Sequence, residues 1–188
     1  MTRLMVVESP NKIAKVQKCL GPGWRVVATV GHFRDLPERE LGVDANSWVA
    51  TWVVDAQKHS VVERLREAAA RAEAVFVATD GDREGEGIAW HVLEVLGPLG
   101  RRARRVKFDA LTAPVIQRAV ANAGDLDRHL VAAQQARRML DRVVGYGVSP
   151  LLRPFGPNHS AGRVQSATLH LVVAREKERE AFRPVPFW

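Results

Sequence analysis

Residues 74–91 read Ala74-Val75-Phe76-Val77-Ala78-Thr79-Asp80-Gly81-Asp82-Arg83-Glu84-Gly85-Glu86-Gly87-Ile88-Ala89-Trp90-His91. The first five are apolar and rich in β-branched or aromatic side chains, and they predict a strand buried on both faces. That strand delivers the chain directly into three carboxylates, Asp80, Asp82 and Glu84. In an open α/β sheet the C-terminal ends of the strands are where ligands bind, and Gly81, Gly85 and Gly87 let the backbone turn tightly there. Crowded carboxylates resist full ionisation unless a cation shares the site. Hard oxygen donors favour magnesium, which uses one or two carboxylates, keeps several waters and bridges to a substrate phosphate. Spacing alone leaves two readings open, a magnesium loop serving phosphoryl chemistry and a solvated acidic turn.

Composition narrows the class. With 188 residues, 46% of them hydrophobic, the chain can bury a real core and make one domain or two small ones. A formal charge of +7 points to a polyanionic partner, and the acidic loop favours nucleic-acid phosphate over an anionic membrane. The single cysteine, Cys19, excludes an internal disulfide and a cysteine-rich zinc site. No segment reaches the ~18 to 20 apolar residues of a membrane span, so a cytoplasmic protein without membrane contact is expected. Neither G-x-x-x-x-G-K nor G-x-G-x-x-G occurs, so no nucleotide cofactor is indicated.

Outward from the acidic loop, strands alternate with helices, which predicts a parallel sheet. Leu4-Met5-Val6-Val7 is a buried strand ending at Glu8-Ser9-Pro10, where Ser9 suits a helix cap and Pro10 a first helical position. A helix to about Leu20 follows. Lys12 sits in its first turn, where the helix dipole disfavours a cation, so it is either a surface lysine or a functional one. Trp24 to Val30 reads as a strand leading to a turn with His32, Arg34 and Asp35. Residues 38–60 read as a loop or hairpin excursion, 61–73 as an amphipathic helix, and Arg101 to Arg105 as a basic run entering a last strand, Val106-Lys107-Phe108. Gly87 is either a close-approach site or a helix defect costing ~1 kcal/mol.

After Phe108 the pattern becomes helix upon helix, which places a domain boundary there, between 1–108 and 109–188. On a helix from about Asp127 to Val144, Leu130, Ala133, Ala136 and Leu140 gather on one side, and Gln134, Arg137, Arg138 and Asp141 on the other. That polar face is either plain solvent or an Arg-Asp pair with a second guanidinium left for phosphate. Ser149-Pro150 would open a further helix, and a last one to about Phe182 carries a charged run with i, i+3 and i+4 pairs. The chain finishes on two large apolar residues, Phe187-Trp188.

Five stretches together resemble bacterial type IA DNA topoisomerase I: Val7-Glu8-Ser9-Pro10-Asn11-Lys12, Gly31 to Pro37, Ala78 to Glu86, Gln134 to Tyr146, and Ser160 to Ser166. The resemblance runs in order along essentially the whole chain. It implies a Toprim domain, a four-stranded parallel sheet with flanking helices, followed by the opening helices of a mainly α-helical domain that grips single-stranded DNA. It further implies magnesium at Asp80, Asp82 and Glu84, proton transfer by Glu8, and charge stabilisation by Lys12. Arg138, or its neighbour Arg137, would position the phosphodiester with Asp141. His32, Arg34, Arg137, Ser160, Arg163 and Gln165 would contact DNA. Gly81 stands where the family has proline and Gly87 where alanine is usual, which bears on loop rigidity rather than on ligands.

The family cleaves with a tyrosine in a gate domain beyond this length, and the gate and strand-passing toroid are not in this chain. Tyr146 matches a non-catalytic, packing position. The expected activity is magnesium-dependent, ATP-independent transesterification of single-stranded or negatively supercoiled DNA in the complete, nucleoid-associated enzyme. The alternatives are a stand-alone DNA-binding module and a Toprim nuclease that uses water.

Overall fold

In the computed structural model, which describes residues 2–186, the elements run in the order β1 (Thr2–Val7), α1 (Ile13–Leu20), β2 (Trp24–Ala28), β3 (Arg34–Asp35), β4 (Val53–Val54), α2 (His59–Ala70), β5 (Ala72–Ala78), α3 (Arg83–Leu96), β6 (Ala103–Arg105), α4 (Ala113–Ala121), α5 (Arg128–Leu152) and α6 (Arg163–Ala181). Four strands form one sheet in the order β2-β1-β5-β6, and every pairing in it is parallel. β3 and β4 make a small antiparallel pair, β4 inside the expected 38–60 excursion and β3 in the turn before it.

Strand alternation builds the two halves of the core. Leu4 and Val6 point to one side of the sheet and pack with Val75, Val77, Leu65, Ile88 and Val92, so α2 and α3 cover that face. Met5 and Val7 point to the other side, where Val16 of α1 and Ile116 of α4 cover them. All four of these β1 residues are fully buried, and each side chain contributes roughly 1.5–3 kcal/mol by leaving water. The sheet's faces are thereby closed, and its ligand-binding opportunity lies at the ends of the strands.

The chain divides into two compact units, Met1–Arg137 and Arg138–Trp188. The first extends past Phe108, since Ile116 of α4 completes the core beneath Met5 and Val7. Four expectations are corrected. The last strand is Ala103–Arg105 rather than Val106–Phe108, because Arg105 finds a buried partner and so tolerates the inward position. On α5 the buried residues are Val131 and Gln134, while Ala133, Ala136 and Leu140 are exposed. The helix also does not stop near Val144 but runs to Leu152 with Pro150 inside it. Ser149 does not begin a new helix. Its hydroxyl is bonded to both the N–H and the carbonyl of Ala161, 3.1 Å each, which clips the loop before α6. On α6 the pairs Arg175–Glu178 and Arg179–Glu176 form as the charged run predicts. Phe187 and Trp188 lie outside the described residues. Among the described residues no helix is long and apolar enough to cross a membrane.

Candidate active site at the strand ends

Because the sheet is parallel, β1 and β5 end at the same rim, and this brings Glu8 and the acidic loop to one side of the molecule. The backbone of Glu8 is fixed, its carbonyl accepting from the N–H of Gly31 at 3.1 Å and from the Thr29 hydroxyl at 3.3 Å. Ser9 caps a 3-10 turn, Pro10–Lys12, by accepting from the N–H of Asn11. This turn lifts Lys12 over the rim, where its ammonium meets the Asp80 carboxylate. The contact joins segments 68 positions apart in the sequence. Asp82 caps α3, its Oδ1 accepting from the N–H of Gly85 at 2.8 Å. Gly85 has no alternative, since a Cβ there would lie 2.2 Å from the carbonyl oxygen of Asp80. Glu84 faces His32, with Nε2 at 3.6 Å, and accepts from Gln134 Nε2 at 3.4 Å. Gln134 in turn explains Gly87, where an added Cβ would stand 2.8 Å from the Gln134 Cδ. Gly87 is a close-approach site.

The turn after β2 is backbone-strained. Val30 has φ 59°, a left-handed conformation that is costly for a β-branched residue, and Gly31 follows at φ 74°. This pair turns His32 toward Glu84. Arg34 is turned inward. Its Nη2 donates to the Trp52 carbonyl at 3.4 Å, its guanidinium lies over Trp90 at 5.6 Å, and burial lowers its pKa against the opposing effect of Glu94. Beside it, His91 is buried among Phe33, Trp52 and Trp90. Burial, reinforced by Arg34 and His32, pushes its pKa down to about 3.

A buried ion pair supports the acidic loop from below. Glu86 and Arg105 are 0% and 5% exposed and meet at 2.8 Å. Arg105 also donates to the carbonyls of Val77, Thr79, Val106 and Asp80, at 3.1, 2.9, 2.6 and 2.6 Å. Glu86 accepts from the N–H of Asp127 at 2.7 Å, which ties in the residue just before α5. One guanidinium therefore holds the end of β5, the first residues of the acidic loop and the end of β6. The sequence reading missed this pair. The available signal was positional: Glu86 precedes the buried Ala89 by three residues, and Arg105 shares a strand face with Ala103.

The expected metal ligands do not converge into a ready cage. Among the described residues no group of three acidic, histidine or cysteine side chains stands where it could hold a metal ion. The donor set nevertheless fits magnesium, which needs only one or two carboxylates beside water and substrate oxygens. The Oδ1 atoms of Asp80 and Asp82 are engaged by Lys12 and Gly85, and each residue keeps a second oxygen on the rim.

In the second unit Asp141 pairs with Arg163 at 2.8 Å, from the first turn of α6. Gln165 donates to the carbonyl of Ser160 at 2.7 Å and to its hydroxyl at 3.2 Å. Four expected site residues thus meet in two contacts around the loop before α6. Arg138 and Asp141 line a cavity of about 460 Å³ with Arg142, Tyr146, Ser149 and Arg153. Tyr146 is 41% exposed and carries Arg142 over its ring at 5.4 Å.

Comparison with known proteins accords with this arrangement. The Toprim domain family matches residues 3–111 and the DNA topoisomerase family residues 125–188. DNA topoisomerase 1 of Streptomyces coelicolor is 46% identical over 201 aligned positions, covering 99% of this chain and 21% of its own length. DNA topoisomerase 1 of Aquifex aeolicus is 44% identical, covering 96% of this chain and 34% of its own. Full-length topoisomerase I from Thermotoga maritima superposes with a TM-score of 0.85 at 45% identity, over 97% of this chain and 31% of that one. The chain spans between about a fifth and a third of the length of these relatives.

Proposed function

Since the chain belongs to the type IA DNA topoisomerase family, as its N-terminal region with the Toprim domain, we propose that it carries the acid, cation and strand-gripping parts of a magnesium-dependent, ATP-independent transesterification of single-stranded DNA. In this reading Glu8 transfers the proton at the scissile phosphate and the Lys12 ammonium stabilises the charge that develops on its oxygens. Asp80, Asp82 and Glu84 supply the oxygens that hold magnesium, one or two at a time, and the ion when bound offsets phosphate charge. Arg138 and Asp141 position the phosphodiester. His32, Arg137, Ser160, Arg163 and Gln165 grip the strand, while Arg34, turned inward onto Trp52 and Trp90, holds the turn that presents His32. The observation that carries the reading is the Lys12–Asp80 contact, which sets a cation from the turn after β1 against the acidic loop.

The nucleophilic tyrosine belongs to a gate domain outside this chain. Tyr146, the single tyrosine here, is occupied by Arg142 stacking. The isolated chain is therefore expected to bind magnesium weakly and single-stranded DNA in a salt-dependent way, without relaxing supercoiled plasmid or forming a covalent adduct. Calorimetry with magnesium on the chain and on an Asp80→Asn, Asp82→Asn double variant tests the cation site. Denaturing electrophoresis of labelled oligonucleotide tests the chemistry. A labelled adduct formed by the chain alone and lost in Tyr146→Phe would overturn the assignment of the nucleophile, and an unchanged magnesium response in the double variant would move the cation elsewhere.

A further inference from the structure

The parallel sheet has a second rim, where its strands begin, and the charge there is opposite in sign to that of the acidic loop. Arg3 lies in β1, Arg25 in β2, and Arg104 in β6; Arg71 immediately precedes β5, and Arg101 and Arg102 immediately precede β6. The pairing register sets Arg3 opposite Trp24, Arg25 opposite Leu4, and Arg104 opposite Phe76, so Arg25 lies on the Leu4 face of the sheet and Arg3 and Arg104 on the Met5 face, at the same end of it. Neighbouring strands lie ~4.8 Å apart, so three spacings place the whole set along an edge roughly 15 Å wide. All six arginines are exposed except for the engaged ends of two. The Arg104 Nη2 donates to the carbonyl of Ala123 at 2.6 Å, beyond the end of α4. The Arg3 guanidinium lies 4.5 Å over the Trp24 ring. Arg66, nearby in sequence on α2, donates to Val95 at 2.9 Å near the end of α3. Helix ends carry exposed carbonyls, and that demand accounts for Arg66 and Arg104. It does not account for Arg25, Arg71, Arg101 and Arg102, whose side chains make no hydrogen bond or ion pair among the described residues. Glu73 is the one acid within the strands at this rim, and it pairs with none of them.

We propose that this rim is a second nucleic-acid contact, separate from the acidic loop and fitted to the phosphate backbone of a DNA duplex. Guanidiniums without side-chain partners, gathered at one end of the sheet, suit the closely spaced phosphates of a duplex backbone, and arginine's planar fork fits each one. Single-strand recognition draws on open aromatic faces for base stacking. The aromatic ring at this edge, Trp24, is covered by Arg3 on one side and contacts Phe76 at 5.1 Å, which leaves the backbone as the feature recognised. The inference stands without the catalytic reading, since it uses none of the residues assigned to the acidic rim or to the strand grip.

The test is fluorescence anisotropy of the 188-residue chain on a short labelled duplex across a series of salt concentrations. An Arg25→Gln, Arg71→Gln, Arg101→Gln, Arg102→Gln variant is compared with a charge-matched control, Arg175→Gln, Lys177→Gln, Arg179→Gln, Arg183→Gln. The slope of log affinity against log salt is expected to become shallower by about 3.6 in the rim variant if all four contact phosphate, and by under about 1 in the control. An Arg101→Gln, Arg102→Gln variant, confined to an exposed turn and harmless to the core, should give about half the change. Single-strand affinity measured in parallel should fall no more in the rim variant than in the control. A rim variant whose duplex slope matches the unaltered chain, or one that changes no more than the control, overturns the proposal.

Discussion

Replacing Arg105 with methionine removes the guanidinium from beneath the acidic loop while keeping most of its volume. Five donated bonds disappear, one to Glu86 and four to backbone carbonyls. Glu86, fully buried, is left with the N–H of Asp127 at 2.7 Å and with Lys107 at 3.5 Å. Breaking one side of a buried pair costs about 3–5 kcal/mol. Glu86→Gln is milder, because the guanidinium keeps its four carbonyls and the amide oxygen can still accept from Asp127, and its cost is about 1–3 kcal/mol. The double variant is expected to recover part of the loss, since the uncompensated charge is then gone. Four of the five tryptophans, Trp24, Trp48, Trp52 and Trp90, lie in the first unit, so in a Trp188→Phe background tryptophan fluorescence during urea unfolding reports on that unit. Arg105→Met should also weaken magnesium binding, because it frees the Thr79 and Asp80 carbonyls that set the loop. A cost under about 1 kcal/mol for Arg105→Met, or a larger cost for Glu86→Gln, would refute the reasoning.

His91 makes the first unit acid-sensitive. Its folded-state pKa lies near 3, against an ordinary 6.5, so the unfolded chain takes up the proton first as pH falls. Stability is complete above 6.5 and declines below it, by about 2 kcal/mol at pH 5. Urea midpoints at pH 7.5 and 5 should show this loss, and His91→Phe should reduce it; an equal loss in the variant points to another group. Gly85→Ala places a Cβ against the Asp80 backbone and should abolish the magnesium response while circular dichroism still reports helix; a normal response contradicts the close packing. Val30→Gly relieves a left-handed β-branched residue that is 39% exposed, and should stabilise by about 0.5–1 kcal/mol in thermal unfolding. A lower melting temperature means that the Val30 side chain contributes more than its backbone costs.

The legible parts of the sequence were those whose physics is local. The strand before Thr79 announces itself by β-branching, the Ser9-Pro10 turn by its capping residues, and the acidic rim follows once the sheet is known to be parallel. What stayed hidden depends on partners distant in sequence. Arg105 read as one member of a basic run leading into the last strand because nothing beside it reveals Glu86. The same blindness moved the last strand three residues downstream, to a segment that looked more apolar. Gln134 read as polar surface, although its side chain fills the space left by Gly87 on another helix, and that displaced the buried stripe of α5. Pro150 suggested a break, but it sits in the last turn of α5 and ends nothing. The Asp141–Arg163 pair was invisible for the same reason, since Asp141 had been matched with the arginines beside it on its own helix and nothing in the sequence marks Arg163 as its partner.

Gly87 and Gln134 occupy what amounts to a single volume, with the glycine's missing Cβ giving room to the glutamine's amide. The genetic consequence is epistasis. Alanine at position 87 gains ~1 kcal/mol in helix propensity but collides with the glutamine, whereas a shorter residue at 134 opens a gap and removes the hydrogen bond to Glu84. Either change alone is penalised, and together they restore the packing. In a selection from a randomised library the two positions should covary.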